Sequence, residues 1–133
     1  MNFRKKILLV DDDEDLRTSL AEQLGVYEKF SASEAVSGAE ALEAIKAQSF
    51  DLVLLDICLP DMDGHELSEL LRRNDVKSPI IMLTDADSEL DTILGHNAGI
   101  NDYITKPFRF SMLLARISAQ LRRQEQSDDA TFP

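Results

Sequence analysis

Leu52-Val53-Leu54-Leu55-Asp56 is a run of four apolar residues closed by a carboxylate. Other stretches of the chain have the same form. Ile7-Leu8-Leu9-Val10 runs into Asp11-Asp12, Ile80-Ile81-Met82-Leu83 into Thr84, and Tyr103-Ile104-Thr105 into Lys106, with Pro107 behind it. Apolar runs this short, separated by segments of helical period, predict strands buried on both faces, as in a parallel sheet. Ligands of an open α/β sheet bind outside the carboxyl ends of its strands. The reading therefore places three carboxylates, a hydroxyl and an ammonium around one crevice. That set suits a divalent metal and a phosphoryl group.

Between the runs, the helical period is clear. Leu16, Leu20 and Leu24 repeat on one helix, with Gly25 as its stop. Phe30 and Ala32 mark a short second strand. Ser37 and Glu40 have the spacing of a capping box and open a helix carrying Ala41, Leu42 and Ile45. Pro60 and Gly64 bracket a turn through Asp61-Met62-Asp63, and a helix with Leu67, Leu70 and Leu71 comes next. Ser88 and Asp91 repeat the capping signal ahead of Ile93, Leu94 and Ala98, a helix expected to stop at Gly99. A fifth strand is expected over Asp102–Thr105. In the last helix Leu113, Leu114, Ile117 and Leu121 are expected inward, with Arg116, Gln120 and Arg123 outward. Residues 124–133 are polar and without period, so they read as a linker or tail.

The chain has 133 residues, 44% of them apolar, enough for one domain with a real core. A net charge of −11 argues against this segment gripping DNA or an anionic membrane. The lone cysteine, Cys58, excludes an internal disulfide and suits a reducing cytoplasmic compartment. The apolar run after the basic start stops at Asp11, too soon for a signal-peptide core or a membrane span.

Each site residue also has an ordinary reading. Asp13, Glu14 and Asp15 are what a helix N-terminus favours anyway. Asp56 taken alone is a strand-ending aspartate that caps a turn, although a carboxylate is also a nucleophile able to form an acyl phosphate. Thr84 ends a strand as threonine often does, and a lone lysine such as Lys106 is ordinarily solvated. Lys106-Pro107 adds an X-Pro bond, which can be cis and fix a tight turn. The ordered combination on successive strands is what carries information.

Four segments together resemble the receiver domain of two-component response regulators. They are Ile7-Leu8-Leu9-Val10-Asp11-Asp12-Asp13, Leu54 to Gly64, Met82-Leu83-Thr84, and Ala98 to Phe108, and the likeness extends over residues 5 to 123. The resemblance implies a flavodoxin-like (βα)5 doubly wound sandwich whose five-stranded parallel sheet has the order 2-1-3-4-5, with five flanking helices. Residues 1–123 would form the receiver, and 124–133 would lead to an absent output domain. The resemblance also assigns roles. Asp56 is the phosphoryl acceptor. Asp12, Asp56 and the backbone carbonyl of Cys58 hold Mg²⁺, and Asp11 acts on the ion through water. Thr84 and Lys106 meet the phosphoryl oxygens, and Tyr103 is the aromatic that turns inward when Thr84 moves. One position departs from the family: Asp85 comes after the switch threonine where alanine, glycine or serine is usual, which makes it a candidate gate that either points to solvent and is nearly silent or turns inward and pairs with Lys106.

For function, the resemblance implies a switch phosphorylated by a sensor histidine kinase or phosphotransfer protein, catalysing its own phosphorylation and dephosphorylation without turning over another substrate. Asn101-Asp102-Tyr103 and Leu114-Ala115-Arg116-Ile117 look most like receivers of winged-helix (OmpR-like) transcription regulators. Those dimerise over a surface that here would include Leu94, Asp102, Met112, Arg116 and Arg123. Two alternatives stand beside this. One is a stand-alone receiver serving as adaptor or phosphate sink. The other is a haloacid-dehalogenase-like phosphatase using Asp11-Asp12-Asp13, although Asp15 departs from that family's motif and Asp56 would have no task in it.

Overall fold

The computed structural model describes residues 4–85 and 99–130. Five strands, β1 (Lys5–Val10), β2 (Phe30–Ala35), β3 (Leu52–Asp56), β4 (Ile80–Thr84) and β5 (Asp102–Thr105), form one parallel sheet of order β2-β1-β3-β4-β5. The described helices are α1 (Glu14–Gly25), α2 (Gly38–Ala47), α3 (Gly64–Arg73) and α4 (Phe110–Ala130). The expected helix after Ser88, with Leu94, lies outside the described residues.

The side-chain alternation of each central strand divides the core in two. Ile7, Leu9, Leu52, Leu54, Ile81 and Leu83 face α1 and α4, where Leu20, Leu24, Leu113 and Ile117 close over them. Leu8, Val10, Val53, Leu55, Ile80 and Met82 face the other way, against Ala41 of α2 and Leu67 and Leu71 of α3. Strands covered on both sides have no solvent face, which is why their sequences read as unbroken apolar runs.

The helix ends are set by local chemistry. Asp13 caps α1, its carboxylate accepting from Leu16 N at 3.2 Å. Ser37 Oγ accepts from Glu40 N at 3.2 Å, while Glu40 Oε1 reaches back to Val36 N at 3.0 Å. That is the expected capping box, displaced by one residue on its return arm. Asp63 caps α3 through Glu66 N at 2.8 Å. The turn before it is tight. A Cβ on Gly64 would lie 2.7 Å from the carbonyl oxygen of Asp56, so only glycine lets α3 start this close to the end of β3.

Two helix expectations need correction, and α1 carries an addition. Leu16 packs against the same core as Leu20 and Leu24, as expected, and Arg17 is buried beside them. Gln120 points inward and is 4% exposed, because it stands at i+3 from Ile117 on the stripe that Leu113 begins. And α4 does not stop at Arg123 but continues to Ala130. Gln124, Glu125 and Gln126 have no apolar period but are good helix formers, and Glu125 pairs with Lys5 of β1 at 3.3 Å.

Candidate functional site

The parallel register gathers the reactive residues. Val10 stands beside Leu55, Asp56 beside Leu83, and Thr84 beside Thr105. The residues at or just past these positions, Asp11, Asp56, Thr84 and Lys106, therefore emerge along one edge of the sheet. Carboxylate oxygens of Asp11, Asp12 and Asp56 lie within 4.8 Å of one another. Asp11 and Asp56 are buried, at 3% and 4% exposure, whereas Asp12 is exposed. Thr84 is fully buried.

Lys106 spans the two buried carboxylates. Its Nζ is 3.0 Å from Asp11 Oδ2 and 3.2 Å from Asp56 Oδ1. The backbone on either side is fixed. Lys106 N donates to Thr84 O, Ile57 N to Leu83 O at 3.0 Å, and the Lys106–Pro107 bond is cis. Asp11 is held further by Asp13 N, which donates to its Oδ1 at 2.9 Å.

The electrostatics are those of a site short of positive charge. Burial and the neighbouring Asp11 carboxylate push the Asp56 carboxyl up from 3.8 to about 6, against the pull of Lys106 and of the Cys58 amide. Burial works to neutralise Lys106, but its contacts with Asp11 and Asp56 prevail, and its pKa is raised. One ammonium among three carboxylates leaves net negative charge in a half-enclosed crevice. A hard dication coordinated by oxygen is what such a donor set accepts. Oxygens around a shared Mg²⁺ stand about 3 to 4 Å apart, so the cluster needs only a small contraction. Cys58, whose carbonyl the family resemblance assigns to the ion, has an exposed thiol and sits two residues beyond Asp56, in an isolated bridge with Asp63.

The remaining sequence candidates are distributed around this crevice and over the surface. Tyr103 is partly buried and packs beside the α2–α3 half of the core, and burial raises its phenol pKa. Asp85 is exposed. It lines a groove of about 430 Å³ with Leu16, Leu20, Lys106, Phe108 and Phe110, while the carboxylates that pair with Lys106 are Asp11 and Asp56. Arg116 Nη1 donates to both oxygens of Asp102, at 3.0 and 3.2 Å, within one chain. Met112 is 50% exposed, and Arg123 is exposed.

The sequence reading missed two residues. Arg17 is buried; its Nη1 donates to Asp11 O at 2.7 Å and its Nε pairs with Glu34 of β2 at 3.2 Å, clamping the backbone that carries the acidic pair. The signal was present, since a charged residue shares the helical stripe of Leu20 and Leu24. Asp61 bonds the amides of Gly38 and Ala39. That contact is long-range and leaves no local mark.

The sequence matches the family described as the response regulator receiver domain over residues 7–118. This chain belongs to that family. Over 125 residues the receiver is 43% identical to the alkaline phosphatase synthesis transcriptional regulatory protein PhoP of Bacillus subtilis, covering 92% of this chain and 51% of that protein. It is 44% identical over 133 residues to the transcriptional regulatory protein CpxR of Escherichia coli K12, covering 96% and 56%. The chain thus spans about half the length of these curated relatives. Among solved structures it resembles the BeF3-activated N-terminal receiver domain of Klebsiella pneumoniae RstA, with a TM-score of 0.79 and 39% identity over 89% of this chain and 99% of that one. A CheY-like receiver of Methanospirillum hungatei gives a TM-score of 0.85 at 35% identity, over 93% and 98%. The receiver family, its flavodoxin-like sheet and its kinship with transcription regulators are thereby as expected from the sequence. The phosphatase alternative gives way to this assignment. Among the described residues, no helix is long and apolar enough to cross a membrane.

Proposed function

We propose that this receiver takes a phosphoryl group onto Asp56 from the phosphohistidine of a sensor kinase or phosphotransfer protein, in a Mg²⁺-dependent reaction. The observation that carries the reading is the Lys106 ammonium lying between the carboxylates of Asp11 and Asp56, beside Asp12. A carboxylate oxygen of Asp56 attacks phosphorus, the P–N bond breaks, and its electron pair returns to the imidazole. Burial favours this nucleophile, since a carboxylate stripped of water is more reactive than a solvated one. Asp12, Asp56 and the Cys58 carbonyl would hold the ion, with Asp11 behind water. When bound, Mg²⁺ neutralises charge on the transferring oxygens. Lys106 exchanges its contact with Asp56 for a phosphoryl oxygen, and Thr84 Oγ donates to another. Tyr103 moves with Thr84 and carries the change to the surface of β5 and α4.

PhoP and CpxR are transcriptional regulators about twice this length. The reading that fits is a receiver whose phosphorylation promotes pairing of two copies and so controls DNA binding by an output domain beyond this segment. A stand-alone adaptor would share the phosphorylation chemistry and lack the output.

The test is Asp56→Asn. Acetyl phosphate with Mg²⁺ should label the native protein with one alkali-labile phosphoryl group and leave Asp56→Asn unlabelled, with its circular dichroism unchanged. Label persisting on the variant at Asp11 or Asp13 would defeat the proposal.

A further inference from the structure

We infer that Asp61 is a positioning residue: it latches the loop after the acceptor onto the N-terminus of α2, and so holds the Cys58 carbonyl where the metal needs it. The inference rests on the assignment of that carbonyl to the ion.

The first turn of a helix has four amides without a helical acceptor. In α2 three of them, those of Gly38, Ala39 and Glu40, are taken by side chains. Ser37 Oγ takes Glu40 N at 3.2 Å. The other two are taken from outside the helix. Asp61 Oδ1 accepts from Gly38 N and Oδ2 from Ala39 N, both at 2.9 Å. The start of α2 is thus completed by a residue far along the chain. These amides hold the exposed Asp61 carboxyl below its ordinary pKa. The neighbouring side chain docks at the same spot. A Cβ on Gly38 would stand 2.5 Å from Met62 Sδ, so the glycine is what admits Met62.

The same loop begins at the acceptor. Gly64 N donates to Ile57 O at 2.7 Å, and Cys58 bridges to Asp63, which closes the base of the loop. Asp61 and Met62 fix its tip. With base and tip both held, the backbone that carries the Cys58 carbonyl is restrained from two sides. Groups that orient a ligand without touching the ion commonly change metal affinity when removed.

Two caps on one helix provide the control. Ser37→Ala and Asp61→Ala both uncap α2 and should both lower the melting temperature, but only the second frees the loop. Calorimetric titration with MgCl₂ should show about tenfold weaker binding for Asp61→Ala and less than about twofold for Ser37→Ala. Asp61→Asn, which keeps one good acceptor, should fall between. Hydrogen exchange at Gly38 and Ala39 in the metal-free protein should speed up in Asp61→Ala. Equal weakening by the two alanine variants, or undiminished Mg²⁺ affinity in Asp61→Ala, would overturn the latch. Asp12→Ala separates the underlying assignment. If it abolishes binding while Asp61→Ala is silent, the latch alone falls. If Asp12→Ala leaves binding intact, the ion is not at this cluster and both readings fall.

Discussion

At the scale of single residues, the site concentrates negative charge where water is scarce, and the fold is less stable for it. Asp56 is 4% exposed, and its carboxyl in the folded protein titrates at about 6 rather than 3.8. The folded state therefore binds this proton more tightly than the unfolded chain. Its contribution to stability is fully present below pH 3.8 and is lost as pH rises through 6. The difference corresponds to about 3 kcal/mol of penalty at neutral pH. In EDTA, Asp56→Asn should then be more stable than the native protein at pH 7.5 by up to about 3 kcal/mol in urea unfolding, with the advantage fading toward about pH 4. Saturating Mg²⁺ should narrow it too, because the ion binds the native folded state. A difference independent of pH would show that the ionised carboxylate is not the source. The same crowding explains why Asp56 is legible in sequence only with its companions. A strand-ending aspartate is commonplace; one whose neighbouring strands end in aspartate, threonine and lysine is not.

At the scale of elements, the caps separate residues that look alike in sequence. Asp11, Asp12 and Asp13 are adjacent, yet one is buried against Lys106, one is the exposed member of the carboxylate cluster and one closes a helix. Asp13→Ala should lose about 1 kcal/mol of stability, as N-cap removals do, and leave Mg²⁺ affinity nearly unchanged. Asp12→Ala should leave stability unchanged or raised without metal, and weaken Mg²⁺ binding severely. A titration that ranked the two variants the other way would undo the assignment of the metal site. Strand limits, the Ser37 cap and the end of β4 are readable because each depends on neighbours in sequence. Arg17, Gln120 and Asp61 escape such a reading for different reasons. Arg17 and Gln120 are polar residues on apolar stripes, where a pattern built on hydrophobicity passes over them. The partners of Asp61 are brought to it only by the packing of α2 against the loop after β3. The extension of α4 to Ala130 escapes because helix propensity without an apolar face looks like a tail.

At the scale of the whole molecule, the proposed pairing requires a change at the strand ends to reach a second copy. The described part of the expected pairing surface offers Met112, half exposed on α4, and the exposed Arg123. Asp102 and Arg116 are already joined to each other within the chain, so crossing to a partner would require them to exchange an internal pair for an external one. An exposed pair of this kind is worth at most about 1 kcal/mol, so the exchange is nearly neutral and apolar contact must supply the association. Two copies at −11 each also repel. Screening falls to a range of about 8 Å at physiological salt. If apolar contact dominates, raising salt from low to physiological should tighten the beryllofluoride-activated dimer; if cross-chain ion pairs dominate, it should loosen it. We expect tightening. Met112→Asp places a charge in the middle of the surface and should reduce dimer formation in sedimentation at least about tenfold, as burial of an unpaired charge does. Asp56 labelling should be untouched, since Met112 is not among the residues that line the groove at Lys106. Unchanged sedimentation of Met112→Asp with beryllofluoride would place the pairing surface elsewhere. Loss of labelling together with dimerisation would mean that assembly and phosphorylation are coupled through α4.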